Sequence, residues 1–336
     1  MKNILLLSLL LWSCLSFSQS NNSKRADTFY QNGDYLTALN FYLLIDSNQI
    51  SIETRKKIVN CCRLTNQLTK AESNLKIICA SVTDSIYNQY YLNLLIRNQD
   101  FTTIENLIKS GKINLNLEEL QSKIKSLSES KKQYRIYKVP INSANAEIGI
   151  TKYKNGFIIC SSRENNTTIE RTHNWTKQPF LKLYYTENNQ NTWSTPTLFA
   201  NEIKCKYNKG PISFCNKEKE MWITENYVSS DNRSTENKYK LKICNYKLVD
   251  GKWIKQKDFP FNDRNFNVAH AAITEDGKTL YFSSDRPGGF GGMDLYYCTK
   301  TKKGWSTPIN LGAEVDRKST RLNSSHSSVS RMPSSA

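Results

Sequence analysis

Residues His270 to Tyr297 read HAAITEDGKTLYFSSDRPGGFGGMDLYY, and no other stretch limits the fold of this chain so tightly. An apolar run leads into Asp276-Gly277, the alternating strand Thr279 to Ser283 follows, and a glycine-rich loop from Pro287 to Gly292 opens a second strand, Asp294 to Cys298. Asp-Gly between alternating apolar residues is a strong hairpin signal, because the turn demands a positive φ that glycine adopts freely. Trp305 then begins the tetrapeptide WSTP. Two weaker copies lie upstream, ending at Trp193 (WSTP again) and Trp253 (WIKQ), so the tryptophans are 60 and 52 residues apart.

Repeats of roughly 40 to 50 residues with several strands each are the period of β-propeller blades. Surface insertions lengthen such a unit at small entropic cost, and RTHNWTKQP from Arg171 and NRSTENK from Asn232 read as insertions. Three blades are therefore expected over residues 134–315. Their strands are expected at Ile148–Ile150, Phe157–Arg163 and Leu181–Thr186; at Pro211–Cys215, Met221–Thr224 and Leu241–Tyr246; and in the opening stretch, with Trp193, Trp253 and Trp305 to Leu311 as outer strands. The segment FSSDRPGGFGGMDLYYC followed by GWSTPINLG resembles the TolB-type, WD40-like propeller repeat, which it matches at Ser283, Asp285, Arg286, Gly288, Gly289, Gly292, Asp294 and Tyr296. It is similar, more specifically, to the version in OmpA-family envelope proteins of Bacteroidota. The resemblance implies an export signal, tetratricopeptide repeats, this propeller and a C-terminal peptidoglycan-binding OmpA-like domain. It further implies a cell-envelope scaffold, in some members accessory to type IX secretion and gliding.

Upstream, residues 20–130 have helical periodicity. Ala38, Phe41, Tyr42 and Ile45 fall on one face, and the pattern breaks at Asn32-Gly33-Asp34, a helix end followed by a new N-cap. Gly33-Asp34-Tyr35 with Ala38 is similar to the G-D-Y-x-x-A core of a tetratricopeptide repeat. Weaker copies place the small or apolar position again at Ala71 and Ile104, an interval of 33 residues each time, close to the expected 34 or so. The fold expected is thus two-domain, α then β: a short helical-repeat solenoid, then a partial propeller. Ser128 to Gln133 is polar and marks the boundary.

Residues 1–19 read as a signal peptide cleaved near Ser18-Gln19: Lys2, then the apolar run Ile4 to Trp12, too short to span a bilayer. A lipoprotein reading, with lipid on Cys14, is the alternative and the only route to the membrane; bulky Trp12 opposes it. The expected location is the periplasm or the outer membrane. The formal charge of +17 falls to +12 when Lys2, Arg317, Lys318, Arg321 and Arg331 are set aside, and the lysines are spread rather than clustered. That distribution excludes a nucleic-acid footprint. With 3 histidines and no CxxC, zinc is excluded; Cys205 with Cys215 is the best-placed pair for a disulfide.

No cofactor is expected. Pro287 to Gly292 lacks a Gly-Lys-Ser/Thr ending and opens a strand, so it is no phosphate loop. Asp285 and Asp294 are weak calcium candidates beside loop carbonyls; otherwise Asp285 and Arg286 tie down the turn. His270 reads as a core or inter-blade histidine, with no nucleophile motif in the chain. The chain is accordingly expected to be a non-enzymatic exported scaffold that binds envelope proteins, and peptidoglycan through the implied further domain. A glycan-active propeller enzyme and a TolB-like binder of an outer-membrane partner are the alternatives. Residues 316–336 abandon the alternation, and KSTRLNSSHSS resembles translated adapter sequence. The expectation is a non-native or disordered tail and an incomplete propeller.

Overall fold

The structure, a computed structural model, describes residues 21–130, 137–164, 171–189, 192–203, 205–227, 240–313 and 315. The expected signal peptide with Cys14, the tail, and the NRSTENK insertion lie outside them. Two compact units are present: residues 1–137 with Asn174–Lys177, and Lys138–His173 with Gln178–Ala336. The four residues Asn174–Lys177, expected to be part of a propeller insertion, therefore group with the helices.

The first unit is a run of helices: α1 (residues 21–31), α2 (Tyr35–Tyr42), α3 (Ile52–Leu64), α4 (Glu72–Ser81), α5 (Ser85–Asn98), α6 (Phe101–Lys109) and α7 (Leu117–Ser130). A 3-10 turn, Leu68–Ala71, leads into α4. The second helical segment of each pair starts at Tyr35, Leu68 and Phe101, again an interval of 33 residues. Each start is preceded by a left-handed residue, Gly33, Asn66 and Gln99. Asp34 and Asp100 then cap their helices by accepting from Thr37 N and Thr103 N. Such a cap satisfies one of the orphan N–H groups of a first turn. Ala38, Ala71 and Ile104 are all buried in one continuous core with Leu39, Ile58, Leu75 and Leu95. Residues from α1 to α6 thus share one core.

The second unit holds three antiparallel sheets of one topology. The first contains β1 (Glu147–Tyr153), β2 (Gly156–Ser161), β3 (Lys182–Asn189), β4 (Thr192–Trp193) and β5 (Thr197–Leu198). The second contains β6 (Lys209–Cys215), β7 (Glu220–Asn226), β8 (Leu241–Val249) and β9 (Lys252–Lys255). The third contains β10 (Val268–Ile273), β11 (Thr279–Ser284), β12 (Asp294–Thr301), β13 (Gly304–Trp305) and β14 (Ile309–Asn310). In each, the first four strands pair in chain order, while β5 returns to β3 and β14 to β12. The outer strand expected from Trp305 to Leu311 is two short pieces, β13 and β14, both on β12. Pro308, like Pro196 in the first sheet, offers no N–H for a continuous ladder.

The sheets stack in order. Ile158, Cys160 and Leu183 of the first pack on Ile212, Met221 and Ile223 of the second. Trp222 and Ile243 of the second pack on Leu280, Phe282 and Tyr296 of the third. Leu181, Leu241 and Ala269 form a smaller cluster with Ile148 and Met293. Alternation along β7 thus serves two neighbours, Met221 and Ile223 facing the first sheet and Trp222 the third.

Candidate functional site

The glycine-rich hairpin between β11 and β12 carries most of the residues that the sequence singles out. Gly277 takes φ +68° in the turn before β11. There Asp276 accepts from Thr274 Oγ1 at 2.6 Å and from Lys278 N at 3.0 Å, and the Thr274 bond leads in holding its carboxyl below the usual range. Ser283 donates to Ala269 O. Gly288 has φ +88°, whereas Gly289 is fixed by space, since a Cβ there would lie 2.0 Å from Asp294 Oδ2. Gly292 is exposed in the same loop.

The expectation that Asp285 and Arg286 tie down this turn is corrected by their partners. Asp285 reaches back to Asn267, accepting from its backbone N at 2.5 Å and from Nδ2 at 2.8 Å. The Arg286 guanidinium lies over Phe266, Phe282 and Tyr296, within 5.3 Å of each ring centroid. The loop is held by Asp294, which is buried and accepts from Phe290 N and from Asn310 Nδ2. A buried carboxylate needs such donors to offset its lost hydration. The two calcium candidates are therefore engaged with different partners, and among the described residues no group of three acidic, cysteine or histidine side chains could hold a metal ion.

The same constellation recurs from sheet to sheet. Arg163, at the end of β2, donates through Nε to Ser161 and through Nη2 to Ile141 O. Arg286 does the same with Ser284 and Phe261 O. An asparagine also bridges successive sheets. Asn208 accepts from Leu181 N at 2.9 Å and is itself held by Asn226 at 3.1 Å. Asn267 accepts from Leu241 N at 2.9 Å and is held by Asp285. The three tryptophans take matching places at the outer strands: Trp193 against Phe157, Trp253 against Phe214 and Trp305 against Trp222, with ring centroids 5.5, 5.7 and 5.5 Å apart.

His270, expected in the core or between blades, has an exposed imidazole, while its backbone N donates to Thr224 Oγ1 of the second sheet. The register shifts by one residue within the first strand of every sheet, and the bulge holds Gly149, Gly210 and His270 at φ +57°, +95° and +57°. A bulge turns the alternation over, so Ala269 and Ala271 are buried while the imidazole between them faces outward. Crowding by surrounding protein lowers its pKa. Cys205 and Cys215, the best-placed pair for a disulfide, are not joined: all eight described cysteines are free. Cys215 lies in β6, and Cys205 donates to Asn208 O in the connection before it.

Sequence reading missed the buried carboxylates of the second sheet. Glu225 stands where Ser161 and Ser284 stand in the other sheets, and accepts from Tyr246 Oη at 2.9 Å and Cys244 Sγ at 3.3 Å. Glu220 accepts from Asn216 and Asn245. Their positions at the ends of a strand of alternating apolar residues carry no local mark of burial. In the helical unit, Asp34 of the Gly33-Asp34-Tyr35 motif also pairs with Lys177 at 2.6 Å, and Tyr35 packs edge-on against Trp175.

No protein-family model matches the chain, and no curated protein is significantly similar to it. No described helix is long and apolar enough to cross a membrane.

Proposed function

We propose that the helical pairs are tetratricopeptide-type repeats, that the three sheets are successive blades of a TolB-type propeller, and that the chain is a non-enzymatic exported scaffold docking protein partners in the cell envelope. The observation that carries this reading is the double recurrence: left-handed residue, cap and helix start every 33 residues, then the asparagine bridge and the arginine clamp repeated between sheets. Repeated modules of this kind build extended surfaces for partners rather than a single enclosed centre. The buried acids Glu220, Glu225 and Asp294 are engaged by donors inside the second unit, as structural carboxylates are. Exposed apolar side chains of the helical unit, Leu44 in the turn after α2 and Ile86 on α5 foremost, are the contact points for a partner.

The test combines location with contact. The tagged chain, expressed in a bacterium of the implied class, should fractionate with the envelope and begin near Gln19 by mass spectrometry. A photo-cross-linker at Leu44 should capture a defined envelope protein, and Ile86→Glu should abolish that capture. Retention of the protein in the cytoplasm, or turnover of glycans by the purified chain, would refute the reading.

A further inference from the structure

Within the first unit, the corner between α1 and α2 receives four residues from far along the chain, Asn174–Lys177. They form the tip of a short loop whose base is closed by the Thr172–Pro179 bridge and by His173 N donating to Gln178 O at 2.7 Å. The tip meets Gly33 to Leu36 through contacts of three kinds. The Trp175 ring lies edge to face with Tyr35 at 5.5 Å, and its Nε1 is 3.7 Å from where a Cβ on Gly33 would stand. The Trp175 carbonyl accepts from Leu36 N at 3.2 Å. Lys177 Nζ pairs with Asp34 Oδ2 at 2.6 Å.

Comparison within the helical array shows that this corner is turned toward an incoming group. The third repeat carries the same Asp-aromatic-x-Thr sequence at Asp100 to Thr103 as the first does at Asp34 to Thr37. There Asp100 commits both oxygens to Thr103, Oδ1 to the N–H at 3.1 Å and Oδ2 to the hydroxyl at 2.6 Å. Asp34 caps Thr37 N with Oδ1 in the same way but gives Oδ2 to the lysine. Its side chain is 13% exposed against 41% for Lys177, so the carboxylate is set into the corner and the cation comes to it from the solvent side. Leu36 N belongs to a first helical turn and has no acceptor within its own helix; the backbone of the loop supplies one. The three contacts fall on Trp175 to Lys177, a linear element with an aromatic anchor and a charge that orients it.

We propose that the α1–α2 corner is a recognition site for protein loops that carry an aromatic residue and, two positions later, a lysine, and that Asn174–Lys177 is its occupant in cis. A partner loop of that chemistry displaces the chain's own. The tethered loop acts at an effective concentration of about millimolar or more, so it holds the corner against weak competitors and yields to a loop that fits better. The proposal is separate from the scaffold reading, whose contact points are Leu44 and Ile86, and its failure would leave that reading unchanged.

The probe is a head-to-tail cyclic hexapeptide of sequence HNWTKQ, which copies residues 173–178 and holds their ends together as the chain does. It is titrated into the whole isotope-labelled chain while the Leu36 amide resonance is followed. In Trp175→Ala/Lys177→Gln, which opens the corner, a saturable shift is expected, with binding about tenfold or more tighter than in the parent chain, whose own loop competes. Lys177→Gln alone, at an exposed side chain, should fall between the two, and it carries the comparison with the parent if the double variant melts early. A peptide with glutamine in place of lysine should bind the opened corner about threefold more weakly. Asp34→Asn, which keeps the cap, should erase that preference. Melting curves of all variants are recorded alongside. No saturable shift at Leu36 up to on the order of 5 mM peptide, equal affinity for the parent and the opened corner, or a lysine preference that survives Asp34→Asn, overturns the proposal.

Discussion

Asn267→Ala is the most direct test of how the sheets are joined. Asn267 precedes β10 and bridges two sheets: its Oδ1 accepts from Leu241 N, and its Nδ2 donates to Asp285. Truncation leaves the buried Leu241 N–H without its acceptor, which costs about 1–3 kcal/mol. The bond to Asp285 is charge-assisted, but Asp285 is only half-buried and keeps the bond from the Asn267 backbone, so solvent returns part of that loss and about 1 kcal/mol remains. The total is about 3 kcal/mol, or roughly a hundredfold in an opening equilibrium. Asn208→Ala is the internal standard. It orphans Leu181 N in the same way, yet its Nδ2 is buried with no partner, so nothing is lost on that side. Its cost should be smaller, about 1–2 kcal/mol. Hydrogen exchange at the Leu241 and Leu181 amides reads each opening locally. Urea unfolding followed by tryptophan fluorescence reads the second unit as a whole. If Asn208→Ala costs as much as Asn267→Ala, or if Leu241 exchange is unchanged in Asn267→Ala, the bridge does not hold the sheets together.

Four further outcomes follow from the same geometry. Arg286→Lys should destabilise the second unit by about 1–2 kcal/mol, since an ammonium keeps the charge but cannot spread over three rings; an unchanged urea midpoint would deny the stacking a role. Gly289→Ala should cost about 2 kcal/mol or more by pushing Asp294 off Phe290 N, seen as faster proteolysis within the Pro287–Gly292 loop. Added calcium should leave the melting temperature within about 1 °C, because Asp285 and Asp294 are already bound to other donors; a saturable rise would restore a metal site. In the helical unit, burial acts to raise the Asp27 carboxyl, but hydrogen bonds from Lys57 and Tyr42 prevail and hold its pKa below the usual value. A depressed folded pKa gives stability that is present above the unfolded value of about 3.9 and is lost as pH falls through the folded one. Asp27→Asn should therefore flatten the melting profile below about pH 4, and an unaltered acid limb would contradict this.

The helical repeat was legible because one short motif carries turn, cap and small core residue together, as at Gly33, Asp34 and Ala38. Its later copies were fainter for a physical reason. Asn66 and Gln99 hold the left-handed turn that Gly33 holds, and glutamine is no turn signal, so the pattern survived only at Ala71 and Ile104. The sheets were legible from alternation and Asp-Gly turns. Alternation misplaced His270 because a one-residue bulge is invisible in a pattern of period two.

Burial itself shows where the pattern stops informing. Register gives Ile158, Trp222 and Tyr281 equivalent places in the middle strands, opposite Tyr185, Asn245 and Tyr297, with Leu183, Ile243 and Leu295 equivalent to one another two residues before those partners. The sequence treats the three sheets alike. Ile158 and Trp222 are 0% and 4% exposed, and Leu183 and Ile243 are 1% and 0%, whereas Tyr281 is 41% and Leu295 37% exposed. What differs is the neighbour: the second sheet covers the first and the third covers the second, while this face of the third carries an open tyrosine pair, Tyr281 and Tyr297, with rings 6.0 Å apart. A strand's alternation thus fixes which side chains share a face, and the adjoining sheet decides whether that face is core. In a stacked array the same apolar pattern is therefore a packing surface wherever a neighbour sits and a contact surface wherever one does not.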